Sequence, residues 1–169
     1  MQYRSPVSLR PLLLAAGMLT AVRAPLRAKG TEEELRSATA FYPLVGLGIG
    51  LLPAAVLLAP LPSLMGAVLA LAVWTVAAGA SLLDGWAHCC DAAFAPPLEE
   101  EEATRQRRLA ILRDPRVGVF GVAGVALLLL AKWSALVYAP PLAPLVAAPV
   151  ARWTLVHTLR AHPPPRRDG

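Results

Sequence analysis

An all-α bundle of membrane-spanning helices is the fold class the sequence predicts, and three observations carry the prediction. Of 169 residues, 56% are hydrophobic and 16% charged, against about 45–50% and about 25% in soluble domains. The apolar excess gathers in blocks close to the ~20 residues that cross a hydrocarbon layer ~30 Å thick. The charges fall mostly between those blocks. The 17 prolines and 12 glycines lie largely inside or beside them, a placement that kinked or broken membrane helices tolerate.

The first element is Leu12–Val22. Arg4 and Arg10 before it resemble the start of a secretory signal, but Arg23 and Arg27 follow with no small-x-small cleavage site. An N-terminal interfacial or partly buried helix is the expectation. Four spans come next: Phe41–Leu61, Leu64–Leu83, Val117–Tyr138 and Leu142–Leu159. Two of their turns, Pro60-Leu61-Pro62-Ser63 and Ala139-Pro140-Pro141, carry no charge. The basic residues sort into three other groups: Arg23, Arg27, Lys29 and Arg36; Arg105, Arg107, Arg108, Arg113 and Arg116; and Arg160, Arg166 and Arg167. Placing all three on one face gives four crossings of a cell inner membrane, with both termini cytoplasmic.

Between spans two and three, Pro97–Arg113 reads as a cytoplasmic helix. Glu99 to Glu102 load its first turn with the charge a helix N-terminus favours, and Glu101 and Arg105 pair at i,i+4. Residues 1–160 form one membrane domain, and 161–169 a disordered Pro/Arg tail. A net charge of +5 without basic residues interleaved with aromatics speaks against nucleic acid and for a lipid bilayer as partner. The run Gly46-Leu47-Gly48-Ile49-Gly50 lacks the strand and helix of a nucleotide fold; close helix packing accounts for it better. Cys89 and Cys90, being adjacent, read as small fillers.

The chemistry-bearing stretch is Leu83-Asp84-Gly85-Trp86-Ala87-His88-Cys89-Cys90-Asp91. On a continuous helix Asp84, His88 and Asp91 form one stripe, since four and seven residues are near one and two turns. Two carboxylates at a membrane edge repel each other and resist desolvation. A divalent cation would relieve both, and carboxylate oxygens suit Mg²⁺. The bland alternative stays open: Asp84 caps a helix, Asp91 starts a loop and His88 is packed. A second patch, Arg113-Asp114-Pro115-Arg116, enters span three. Asp114 is placed to cap that span, with Pro115 at its first position. Arg113 and Arg116 serve as inside anchors or as phosphate ligands. Lys132 and Arg152 lie within spans, where ionisable groups are functional candidates by default and snorkelling is the rival account.

At these residues the sequence resembles the cobalamin synthase family, also called adenosylcobinamide-GDP ribazoletransferase. Four features carry the resemblance in order: Phe41-Tyr42-Pro43-Leu44-Val45-Gly46; Leu83-Asp84-Gly85-Trp86-Ala87 with Asp91; Leu109-Ala110-Ile111-Leu112-Arg113-Asp114-Pro115-Arg116-Val117-Gly118 with Gly121; and Leu130-Ala131-Lys132-Trp133. Leu19-Thr20 with Pro25 is a weaker fifth. The resemblance implies a membrane transferase of cobalamin biosynthesis. It would join adenosylcobinamide-GDP to α-ribazole, or its 5′-phosphate, releasing GMP with Mg²⁺ as cofactor. Asp84, Asp91 and His88 would hold the metal, and Asp114 would complete the site or position the attacking hydroxyl. Arg113, Arg116, Lys132 and Arg152 would contact substrate. Association with other corrinoid-assembly enzymes also follows from such a role.

The chain departs from the family pattern. His88 stands where an aspartate is expected, Ala92 for glycine, Leu82 for histidine and Pro115 for serine. Family members also carry further spans beyond the region of Arg152. The competing expectation is therefore a truncated or degenerate, non-catalytic member. A phosphotransferase acting on nucleotide-diphosphate-activated lipid alcohols is a third reading, opposed by Ala87-His88 where that class has Ala-Arg.

Overall fold

The computed structural model describes residues 9–21 and 30–162, and within them all regular structure is helical. The helices are α1 Arg10–Leu19, α2 Glu32–Ala38, α3 Tyr42–Leu58, α4 Ser63–Ala77, α5 Ser81–Ala93, α6 Glu101–Ile111, α7 Val119–Tyr138 and α8 Ala143–Ala161, with a 3₁₀ turn at Thr39–Phe41. α3 packs against both α8 and α4, α4 against α7, and α7 against α5. The helical membrane bundle read from the sequence is the architecture found.

Packing of α3 on α8 rests on small residues. A β-carbon on Gly46 would stand 2.7 Å from the Ala148 carbonyl oxygen, and one on Gly50 would clash with the Pro144 carbonyl oxygen. Gly48 points to open space, so two glycines of the run let the backbones meet and the third does not. On α8 the buried residues are Pro144, Ala148, Arg152 and Val156, a strict i,i+4 row facing α3. Glycine on α3 and the small Ala148 and Pro144 on α8 give the close packing that replaces the hydrophobic drive lipid does not supply.

Glu32–Leu58, continuous through the 3₁₀ turn, and Val119–Tyr138 are long and apolar enough to cross a membrane. The second expected span does not run unbroken from Leu64 to Leu83. α4 ends at Ala77, Gly79 and Ala80 take φ of 71° and 54°, and the chain from Leu82 leaves at 91° to α4. Left-handed backbone cannot continue a right-handed helix, and alanine adopts it at a cost of about 1–2 kcal/mol. α4 and α5 together count as one broken span at most. α8 has the length for the fourth expected span, but it is not apolar enough to count as one by hydropathy; Arg152, His157 and Arg160 lie on it.

The N-terminal element is helical as expected, from Arg10 to Leu19, and buries Leu14, Ala15 and Leu19 against Tyr42, Val45 and Ile49 of α3. The Ala21 amide donates to the Ala77 carbonyl at 3.1 Å, tying this segment to the end of α4. α2 was not foreseen. Its start is a capping box: the Glu34 amide donates to Thr31 Oγ1 at 3.3 Å and the Thr31 amide to Glu34 Oε2 at 2.9 Å. Arg10 pairs with Glu34 at 3.3 Å. The basic residues Arg23, Arg27 and Lys29, and those from Pro163 onward, lie outside the described residues; the expected tail is still helical at Ala161.

Candidate active site

α5 carries the acidic stretch and lies against the first half of α7. The join is specific. Asp91 Oδ2 accepts from the Gly118 amide and Asp91 Oδ1 from the Gly121 amide, each at 2.7 Å. These amides open α7, where no earlier turn offers them a carbonyl. Both glycines are needed for the approach. A β-carbon on Gly118 would stand 2.5 Å from Asp91 Oδ1, and one on Gly121 2.5 Å from Oδ2. The Trp86 indole N–H donates to the Gly124 carbonyl at 3.0 Å, and the Phe94 and Phe120 rings stack with centroids 5.0 Å apart. Cys90 fills the space over Gly124.

Asp91 thus fills the position expected of Asp114. The helix begins at Val119 rather than at Pro115, and Asp114 makes a tight turn instead. It accepts from the Arg116 amide at 2.9 Å and from the Arg116 guanidinium at 3.0 and 2.9 Å. The bidentate guanidinium, then the backbone amide, with a smaller electrostatic contribution from His88, hold this carboxyl down at about 2. Arg116 remains solvent-facing, with 87% of its side chain exposed. Arg113 is exposed too. In α6, Glu102 rather than Glu101 pairs with Arg105, at 3.5 Å and i,i+3 spacing.

Of the acidic stripe, Asp84 and His88 meet. The imidazole Nε2 lies 3.5 Å from Asp84 Oδ1. His88 is buried, with 9% exposure, and its Nδ1 has no partner; the Asp84 side chain is 69% exposed. Asp91, about one turn further along the helix, has both oxygens engaged by backbone. Among the described residues no three His, Cys, Asp or Glu side chains converge on one point. The donors therefore do not form a resident cage. Asp84 is the carboxylate left open, and a Mg²⁺ shared with the phosphates of a ligand would need only one or two such carboxylates.

Lys132 and Arg152 lie elsewhere, on a cavity of about 220 Å³ lined also by Trp74, Thr75 and Leu83. Lys132 Nζ stands 4.6 Å from the centroid of the Trp74 ring, and Arg152 is 5% exposed. Neither snorkels. Trp74 was not singled out from the sequence, since nothing local marks an aromatic 58 residues from its cation.

Fold and site define a helical membrane protein with an acidic helix pinned beneath an arginine-rich turn. The particular family follows from comparison. The family model described as cobalamin-5-phosphate synthase matches residues 11–169, and the chain belongs to that family. Similar curated proteins are named adenosylcobinamide-GDP ribazoletransferase. That of Deinococcus radiodurans is 36% identical over 163 residues, covering 95% of this chain and 58% of the relative. That of Pseudomonas aeruginosa is 41% identical over 131 residues, covering 76% and 51%. The Geotalea daltonii protein is 37% identical over 131 residues, with the same coverage. The chain thus spans between half and three fifths of these relatives' length. No solved structure matches it.

Proposed function

We propose that the chain transfers the adenosylcobinamide phosphate group from adenosylcobinamide-GDP to α-ribazole, or its 5′-phosphate, with release of GMP. The observation that carries the reading is the open Asp84 carboxylate held beside buried His88. The reaction forms a P–O bond to a hydroxyl of α-ribazole, breaks the P–O bond to GMP, and releases the hydroxyl proton to water. Such transfers need positioning and charge neutralisation more than covalent help.

Asp84 would hold Mg²⁺, which, when bound, neutralises the diphosphate and the departing GMP. His88 packs beneath Asp84 and sets its direction. Asp114, with its depressed carboxyl, is a poor proton acceptor and instead fixes Arg116. The pairing uses two of the five guanidinium donors, leaving the rest for phosphate oxygens. Arg113 supplies a second cation beside the same turn. The setting is the cell inner membrane, with Asp84 and the arginine turn on the cytoplasmic side and both termini there. Association with other corrinoid-assembly enzymes is consistent with this role.

The test is GMP release by membranes containing the chain, given adenosylcobinamide-GDP, α-ribazole and Mg²⁺. Asp84→Asn is expected to abolish release while membrane insertion stays intact; full activity in that variant removes the metal role. A second reading, a non-catalytic member, is favoured by one finding: Asp91 and Asp114 are both engaged within the protein. Folded protein that releases no GMP establishes it.

A further inference from the structure

Two cations line one cavity, Arg152 buried and Lys132 half-buried, and no anion among the described residues pairs with either. Arg152 belongs to the row of α8 that faces α3, at 5% exposure. Its Nε is sealed from solvent without a hydrogen-bond partner. No ion pair or hydrogen bond to a described residue engages its guanidinium. Lys132 comes from α7, and its ammonium rests on the Trp74 ring. Both line the same cavity between α4, the start of α5, α7 and α8. Asp and Glu are absent from that lining, whose other polar side chains are Thr75 and the Trp74 indole.

A lone buried cation is costly, and two that share a cavity repel as well. Structures keep such groups when a partner neutralises them, and ionisable groups inside membrane helices mark binding sites. The aromatic ring under Lys132 and the packed row around Arg152 hold both side chains at this cavity.

We infer that this cavity is an anion site, taking one phosphate group between the Lys132 ammonium and the Arg152 guanidinium. The chemistry selects phosphate over carboxylate in two ways. The paired cations offer a charge of two, which a phosphate monoester matches. The guanidinium and ammonium present donors from different helices, which suits tetrahedrally arranged oxygens. At about 220 Å³ the space is below the ~300–1,000 Å³ that encloses a whole drug-sized ligand. It therefore admits a phosphate end, with the remainder of the molecule outside. Leu82 and Leu83 border the cavity, so the site abuts the helix that carries Asp84 and is separate from the Asp114–Arg116 turn. The phosphate has two sources, a soluble phosphate or pyrophosphate group and the headgroup of an anionic lipid.

The test reads binding without turnover, so its outcome is independent of the proposed transfer. The full chain in nonionic detergent is titrated with inorganic pyrophosphate while thermal unfolding is followed. In parallel it is reconstituted in phosphatidylcholine nanodiscs with and without phosphatidic acid. A saturable rise in melting temperature with pyrophosphate, its apparent Kd weakened at least about tenfold in Arg152→Met and in Lys132→Met, supports a soluble phosphate. A rise with phosphatidic acid alone, lost in the same variants, supports the lipid source. Either loss shown by Lys132→Met alone suffices if Arg152→Met does not fold. Absence of both rises in the unsubstituted protein, or rises of equal size in folded variants, overturns the inference.

Discussion

Replacing Asp91 separates a helix cap from a metal ligand, because the two roles predict opposite results without metal. Both carboxylate oxygens accept backbone amides of α7 at 2.7 Å. A charge-assisted hydrogen bond contributes about 1.5–3 kcal/mol, and a negative charge at a helix N-terminus adds about 0.3–1 kcal/mol. Measured cap removals cost about 0.5–2 kcal/mol, so Asp91→Ala, which loses two bonds and the charge, is expected to cost about 2–4 kcal/mol. Asp91→Asn keeps one acceptor oxygen and should lose about half of that. The assay is denaturant unfolding in detergent micelles with EDTA present, followed by helical circular dichroism. Amide exchange at Gly118 and Gly121, protected in the parent, should speed up in both variants. A chain whose Asp91→Asn form is as stable as the parent in EDTA, with exchange unchanged, refutes the cap. An unpaired metal ligand would behave that way, since losing its charge relieves the metal-free protein.

Two further expectations follow from single contacts. Gly50→Ala drives a β-carbon into the Pro144 carbonyl and should destabilise the α3–α8 pair by about 1–3 kcal/mol. Gly48→Ala meets nothing within 4 Å and gains helix propensity, so a measured loss there as large as at Gly50 contradicts the packing described. Asp114 has a folded-state carboxyl near 2, against an ordinary 3.8. Its depression means the contribution to the turn is complete above pH 3.8 and fades as pH falls towards 2. Carboxyl ¹³C shifts should titrate there, and Arg116→Ala should move the midpoint up towards 3.8; no movement would disprove the pairing.

What the sequence could disclose follows the range of each interaction. The apolar runs behind α3 and α7 are local, and hydropathy alone finds them. The corner at Gly79-Ala80 escaped because Ser81-Leu82-Leu83 keeps the apolar average high past a turn that only one glycine signals. Thr31-x-x-Glu34 was a readable capping box, hidden in a segment noticed for its arginines. At the site, Asp84 and His88 lie one turn apart and their meeting could be anticipated from spacing. The fate of Asp91 could not, since its partners sit 27 and 30 residues away. Asp114-Pro115 even pointed the wrong way: an acid before proline is the ordinary local mark of a helix start, yet Arg116 captures both oxygens of that acid.

The distance between Asp91 and its amides also sets an order of assembly. Chains emerge amino end first, so the carboxylate is made before either group that will quench it. Until the stretch through Gly121 has been synthesised, α5 has nowhere favourable to bury that charge and must wait near water. Seating of the acidic helix is thereby coupled to arrival of the next one, and an interruption anywhere from Phe94 to Val117 would strand it.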